Sequence, residues 1–267
     1  MLQGSTEAMA WLGNLYVRGR GVARDDSKGI SMITASADQG DPVGLRFAGV
    51  LYQEGRAVPQ NLSKAKSFYE KAIAKGDSAA MGRLGMMYLW GRGVPQDFAK
   101  GRDLLSQGAS AGDVSAELEL GRVYGASMNR TEWPSAIPLY IAAASAGNRI
   151  AAFRLGRIYE FGLLGQKQDI QTAVGFYKQS VMRGYPAAQV ALGRLYMAGK
   201  GVEQDDVRAY SLFILAAAKG ESRAEIYQHK LGQRINAQQI GQASAIAQKA
   251  MAARALYEKQ GVSDPEE

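Results

Sequence analysis

The sequence predicts an all-α fold, an α/α superhelical solenoid of about six helix pairs closed by a C-terminal helix. Three observations predict it. A Leu-Gly-x-x-Tyr segment returns along the chain, its glycines falling 36, 36, 36, 35 and 37 residues apart. A second glycine series, Gly40, Gly76, Gly112, Gly147, Gly184 and Gly220, keeps the same beat. Between the two series the apolar residues recur at helical spacing. Self-similarity at a period of this length marks stacked repeats, each too small to bury its own apolar face.

Each copy reads as two helices. The first begins near a small residue (Ala8, Gly44, Ala80, Ala116, Ala151, Ala188), with an apolar residue four positions later and tyrosine four after that. Those steps put all three on one helical face. The core segments run from Leu12-Gly13-Asn14-Leu15-Tyr16 to Leu192-Gly193-Arg194-Leu195-Tyr196. A mid-helix glycine costs up to about 1 kcal/mol against alanine, a cost offset if the neighbouring helix approaches closely there. The repeated tyrosines (Tyr16, Tyr52, Tyr88, Tyr124, Tyr159, Tyr196) are read as core.

A glycine turn follows, as in Gly19-Arg20-Gly21-Val22, Gly91-Arg92-Gly93-Val94 and Gly199-Lys200-Gly201-Val202. Asp25, Asn61, Asp97, Asp169 and Asp205 then stand where a side chain can accept from the free N–H groups of the second helix. The fourth copy has Glu132 there, with Thr131 the better cap. The second helix carries a large apolar pair (Met32 and Ile33, Phe68 and Tyr69, Leu104 and Leu105, Leu139 and Tyr140, Phe176 and Tyr177, Leu212 and Phe213), then a small one. It stops at the second glycine series.

The copies are placed at approximately 4–39, 40–75, 76–111, 112–146, 147–183 and 184–219, with a partial copy at 220–235. Ala224 to Leu231 forms one more first-type helix. Asn236 caps a final helix to about Lys259, so 236–260 is read as a C-terminal capping helix and 261–267 as a flexible tail. Met1-Leu2-Gln3-Gly4 reads as the end of a helix and its terminating glycine, an N-terminally truncated beginning. Three departures are local: Ala48 replaces leucine, Gly125-Ala126-Ser127-Met128-Asn129-Arg130 replaces the fourth turn, and Gly162-Leu163-Leu164-Gly165 is one residue longer.

Composition limits the chemistry. The 267 residues are 46% hydrophobic and 21% charged, an ordinary globular balance. Glycine supplies 32 of them, above the usual share of roughly 7%. With no cysteine, thiolate metal sites and cysteine nucleophiles are excluded, and the single histidine, His229, leaves almost nothing for a Ser-His-Asp triad or a multi-histidine site. No cofactor is implied. The paired acids Asp25-Asp26 and Asp205-Asp206 fall where helix caps belong, and Asn129-Arg130-Thr131 fits a glycosylation sequon only by coincidence. The net charge of +7 admits an anionic partner, but the basic residues form no dense run, which argues against nucleic acid. No apolar stretch approaches the roughly 18 residues of a membrane span.

The pattern A-x-x-x-L-G-x-x-Y-x-x-G-x-G-V, then D-x-x-K-A, a large apolar pair, A-A and a closing G, resembles the Sel-one-like repeat family, relatives of tetratricopeptide repeats. It covers residues 4 to about 232, and the third copy, Ala80 to Gly112, shows it nearly complete with Gly101 where alanine is usual. The resemblance implies that first helices line a concave groove and that the residue after Leu-Gly and the two after Tyr face it. On that basis Arg122, Arg157 and Arg194 form a ladder, about 10 Å apart by the spacing of stacked helices, able to meet carboxylates or phosphates. Met86, Leu89 and Trp90 form an adaptable apolar patch, and Glu160 and Phe161 complete the expected groove. Trp133 is another exposed-aromatic candidate.

A repeat array without a catalytic set is read as a non-enzymatic scaffold or adaptor binding a protein or peptide partner. The resemblance further implies a bacterial envelope complex, in the periplasm or associated with the envelope, with exopolysaccharide or cell-envelope assembly as a sub-hypothesis and the cytoplasm as the alternative place. A second reading is direct binding of an anionic polymer, an acidic polysaccharide, through the ladder. A third, also from the resemblance, is a weak β-lactam-binding or -hydrolysing enzyme, for which no serine–lysine signature stands out.

Overall fold

The period reappears as helices of nearly constant length. The computed structural model describes residues 6–259; the readings placed on residues 1–4 and 261–267 lie outside them. First-type helices are α1 (Thr6–Arg18), α3 (Pro42–Glu54), α5 (Ser78–Trp90), α7 (Val114–Ala126), α9 (Arg149–Phe161), α11 (Pro186–Ala198) and α13 (Ser222–Gly232). Second-type helices are α2 (Asp26–Asp38), α4 (Leu62–Ala74), α6 (Phe98–Ser110), α8 (Ala136–Ser145), α10 (Ile170–Met182) and α12 (Asp206–Ala217), followed by α14 (Ala237–Lys259). The chain divides into two compact units, the first ending at Val123 and the second starting at Tyr124.

Local chemistry sets the helix ends. Gly91 ends α5 in the left-handed conformation, its N–H on the Met87 carbonyl, where a Cβ would be strained. The chain then turns back so that Asp97 N–H reaches the Tyr88 carbonyl at 3.0 Å. The Asp97 carboxylate accepts from Lys100 N at 2.9 Å and starts α6. The same cap recurs at Asp25, Asn61, Asp169 and Asp205, at 2.8–3.0 Å. Each satisfies an N–H that the helix itself leaves free.

The fourth copy departs from expectation. Thr131 caps nothing; Asn129 accepts from Thr131 N at 3.2 Å and opens a 3-10 turn at Arg130–Ser135. Only then does the ten-residue α8 begin, without a side-chain cap. Pro134 and Pro138 supply the reason, since neither has an N–H to give a helix interior. Trp133 is half-buried there, donating from Nε1 to the Ser127 carbonyl at 2.9 Å. It staples its own loop.

Within each pair the Leu-Gly glycine lies against the second helix. A Cβ on Gly49 would stand 2.6 Å from the Tyr69 ring, and one on Gly193 2.5 Å from Phe213. Where the second helix carries an aliphatic residue instead, Ile33 or Leu105, glycine also replaces the facing alanine, as Gly29 and Gly101, and backbones approach. A Cβ on Gly85 would then meet the Gly101 carbonyl at 2.9 Å. Tyr69, Tyr177, Phe213, Ile33 and Leu105 are fully buried, each worth about 1.5–3 kcal/mol of transfer free energy.

The motif tyrosines are shallower than the sequence suggests. Tyr88 and Tyr196 are buried, but Tyr16, Tyr52, Tyr124 and Tyr159 are half-buried. Second-helix residues cover several of them. Phe68 stacks on Tyr52 at 5.7 Å and Phe176 on Tyr159 at 5.8 Å, and at Tyr16, Tyr52 and Tyr88 a lysine three residues after the helix cap lies over the ring. Lys28 and Lys100 stand 4.2 and 4.3 Å from the Tyr16 and Tyr88 ring centres. This explains why lysine belongs in D-x-x-K-A: its ammonium sits over a π-face.

In the second unit, α13 buries Ala224 and Leu231 as the first-type helices before it do, and α14 packs on α12 with Ala243 and Ala247 fully buried. Among the described residues, no helix is long and apolar enough to cross a membrane.

Candidate functional site

A first-type helix has one face toward its partner helix and one stripe, spaced i, i+3, i+7, turned outward. The sequence reading assigned three positions to the outward face, and the structure divides them. The residue directly after Tyr stands four after the glycine, so it shares the glycine's inward face. Leu89 is accordingly core, 5% exposed, with its Cγ 2.8 Å from where a Gly101 Cβ would be. Val17 is buried in the same way. Glu160 is also only 5% exposed. Leu89 and Glu160 therefore present no surface to a partner, which corrects their expected placement in a groove.

In the first unit the outward residues are of mixed character. Trp90 is 54% exposed and Met86 half-buried. Arg122 reaches back one turn to both carboxylate oxygens of Glu119, at 2.7 and 2.8 Å. Arg18 meets Glu54 at 3.1 Å, and the nearly buried Arg46 meets Asp77 at 2.9 Å. These three cations have acids of their own; Arg83, exposed on α5, pairs with none among the described residues.

The second unit holds Arg157, Arg194, Glu160 and Phe161. Glu160 accepts the Tyr177 hydroxyl on one oxygen at 2.5 Å and Arg194 on the other at 3.3 Å, tying α9 to α10 and α11. Burial, reinforced by Glu160, pushes the Tyr177 hydroxyl well above the usual tyrosine range. Arg157 is exposed and lies 6.0 Å from the Phe161 ring, itself 49% exposed. Among the described residues no acid pairs with Arg157. One residue escaped the sequence reading: Lys230, exposed on α13, holds the repeat position of Arg194 and Arg157. The signal was available, since Ala224 keeps the spacing from Ala188.

Among the described residues no group of three or more His, Asp or Glu gathers as a metal ion would require. His229 is exposed on α13. The buried Ser36, Ser180 and Ser211 donate to backbone carbonyls, so none is poised as a nucleophile. An open depression of about 360 Å³ in the second unit is lined by Lys178, Tyr196, Glu203, Asp205 and Arg208, among others. Its Arg208 and Asp205 already pair at 3.2 Å.

The repeat geometry is matched by known proteins. The Sel1 repeat family model fits residues 6–41, 42–77, 78–113, 149–185 and 186–221. The chain belongs to the Sel1 repeat family. The matched Sel1 repeats are the helix pairs α1/α2, α3/α4, α5/α6, α9/α10 and α11/α12, and the span between 113 and 149 is the copy with the altered turn. A Sel1 repeat protein from Oxalobacter formigenes is 28% identical, with a TM-score of 0.72 over 86% of this chain and 66% of that one. The c5321 antigen of uropathogenic Escherichia coli shares the fold at 24% identity and a TM-score of 0.53, over 98% of this chain and 64% of that one. The chitin synthase regulator SKT5 of Saccharomyces cerevisiae is 33% identical over 104 residues, 36% of this chain and 15% of that protein. The chain thus spans under two thirds of that regulator and of c5321. Sel1 repeats mediate protein interactions, and their fold is typical of interaction scaffolds.

Proposed function

We propose that this Sel1 repeat chain is a non-catalytic adaptor of a bacterial envelope complex, holding a protein partner on the outward stripe of its first-type helices. One observation carries this reading. Two residues after the motif tyrosine, at the same repeat position of two helices, Trp90 and Phe161 stand about half exposed. Aromatic rings left in water at the outer end of rigid helices are the anchors that interfaces bury. The name of the yeast relative, a regulator of chitin synthase, supports action on an enzyme through contact, as in envelope or exopolysaccharide assembly. The envelope placement rests on the frequency of such repeats among periplasmic and secreted bacterial proteins.

The acidic-polysaccharide alternative is less favoured, because Glu119 and Glu160 answer Arg122 and Arg194 and interrupt the row of charge. The β-lactam reading gains no nucleophile.

A photo-crosslinking residue at Trp90 or Phe161, in cells that make the protein naturally, tests the adaptor. The expected result is one discrete crosslinked protein from both positions and none from exposed Lys71 or Lys178 on second-type helices. The reverse pattern overturns the reading. Fractionation of the same cells tests the compartment: recovery in the cytoplasm overturns the envelope placement.

A further inference from the structure

We propose that the outward stripe of the second unit reads an acidic, extended segment of a partner protein. Arg157, Arg194 and Lys230 receive its carboxylates, and Phe161 its apolar side chain. This deepens the adaptor reading and rests on it.

The argument starts from register. Arg157, Arg194 and Lys230 occupy one repeat position on α9, α11 and α13, and all three lie in the second unit. Arg154 and Phe161 fall one turn before and after Arg157 on the same outward stripe. The residues at the corresponding positions are Ala191, which is buried, and Ala198 on α11, then Tyr227 on α13, stacked on Phe213, and Arg234 just past the end of that helix. The stripe therefore has five cationic side chains and no acid. Arg234 is answered from α12 by Asp206 at 3.4 Å, but among the described residues no acid pairs with Arg157 or Lys230.

In the first unit the arginines Arg18, Arg46 and Arg122 each have a carboxylate within 3.1 Å. Arg157 and Lys230, on helices either side of the Glu160-held Arg194, leave positive charge without an acid of its own, and an arriving carboxylate neutralises it. The aromatic ring beside Arg157 gives the same ligand an apolar contact, and the exposed Ala198 leaves room beside Arg194.

Glu160 is the positioning residue of this stripe. Its inward oxygen takes the Tyr177 hydroxyl, a task the neutral Gln53 performs for Tyr69 in the second copy. The negative charge is thus not needed for that bond. What it adds is the hold on Arg194 at 3.3 Å, a stretched pairing at the upper end of hydrogen-bond length. A ligand carboxylate competes with Glu160 for Arg194.

The test is fluorescence anisotropy on the full chain at about 0.15 M salt, where charges beyond about 8 Å are screened. The probes are three labelled synthetic peptides of alternating Glu and Phe, Gln and Phe, or Lys and Phe. The expected result is at least tenfold tighter binding of the Glu peptide than of the Gln peptide. Arg157→Ala with Lys230→Ala, both exposed sites that leave the core intact, then costs at least tenfold. The charge-matched pair Lys178→Ala with Lys249→Ala costs less than twofold, and Glu160→Gln strengthens binding by releasing Arg194. Equal losses from the two pairs mean attraction to net charge alone and overturn the proposal. So do equal affinities for the Glu and Gln peptides, or displacement of the Glu peptide by polygalacturonate at lower concentration. In any of these outcomes, crosslinks from Phe161 to a partner leave the adaptor reading standing.

Discussion

The Tyr177 hydroxyl donates to Glu160 across the α9–α10 pair at 2.5 Å, in a place where both side chains are out of water. Gln53 and Tyr69 make the same bond in the α3–α4 pair. A carboxylate and an amide thus serve one position, and the comparison predicts which changes the fold tolerates. Glu160→Gln is expected to cost under about 1 kcal/mol. Glu160→Ala leaves the hydroxyl unpaired and costs about 1–3 kcal/mol. Urea unfolding of the two variants checks the difference.

Alkaline unfolding is the second expectation. Burial pushes the hydroxyls of both Tyr69 and Tyr177 above the ordinary tyrosine value of about 10. With the folded pKa raised, the stabilisation is complete below pH ~10 and is lost as pH rises, because only the unfolded chain ionises easily. Replacing both residues with Phe removes this part of the alkaline slope. An unchanged slope between pH 9 and 11, followed by circular dichroism, refutes the account.

Asp77 and Asp113 both cap first-type helices, accepting from Ala80 N and Ala116 N at 2.7 Å, yet they should respond oppositely to Asn. Asp77 is paired with the nearly buried Arg46; Asp77→Asn keeps the cap but strands the guanidinium, at about 3 kcal/mol. Asp113 has no such pair, and burial raises its carboxyl above the usual range. Its ionised form is penalised at neutral pH, and the penalty disappears as pH falls through the raised folded value towards the unfolded one. Asp113→Asn is therefore neutral or stabilising at pH 7, with the gain vanishing near pH 4. The native Asn148, buried and capping Ala151 N at 2.7 Å, already works this way. Thermal unfolding at the two pH values decides it.

Gly21 and Gly93 occupy equivalent turn positions with φ of 67° and 72°. Alanine at either pays for left-handed backbone, about 1–2 kcal/mol. Only at Gly93 would the new Cβ also lie 2.2 Å from the Leu62 Cβ at the start of α4; nothing stands within 4 Å at Gly21. Gly93→Ala is thus expected to lower the urea midpoint clearly more than Gly21→Ala. Equal shifts would refute a packing role for this glycine between neighbouring repeats.

Much of the fold was legible in one dimension. The spacing of Gly13, Gly49, Gly85, Gly121, Gly156 and Gly193 carries the helix-pair period, and the acids at 25, 97, 169 and 205 mark where second helices start. The candidate site was legible only in part. Trp90, Phe161, Arg157 and Arg194 stand outward, but Leu89 and Glu160 were misplaced by treating both residues after Tyr alike. Counting four from the glycine would have turned them inward.

Outside the fourth copy, the sequence by itself determined the helix pairs and the caps of their second helices, because these depend on neighbours within one repeat and on residue types with strong local preferences. Only the tertiary structure decided which charges are spent. Arg122 looks the same as Arg157 in the repeat pattern, yet Glu119 neutralises the one and no acid among the described residues pairs with the other. It also settled how closely each pair packs, through the fit of Gly85 to Gly101 and of Gly49 to the Tyr69 ring. Ion pairing and packing act over a few ångströms in space, and a one-dimensional pattern does not carry those distances.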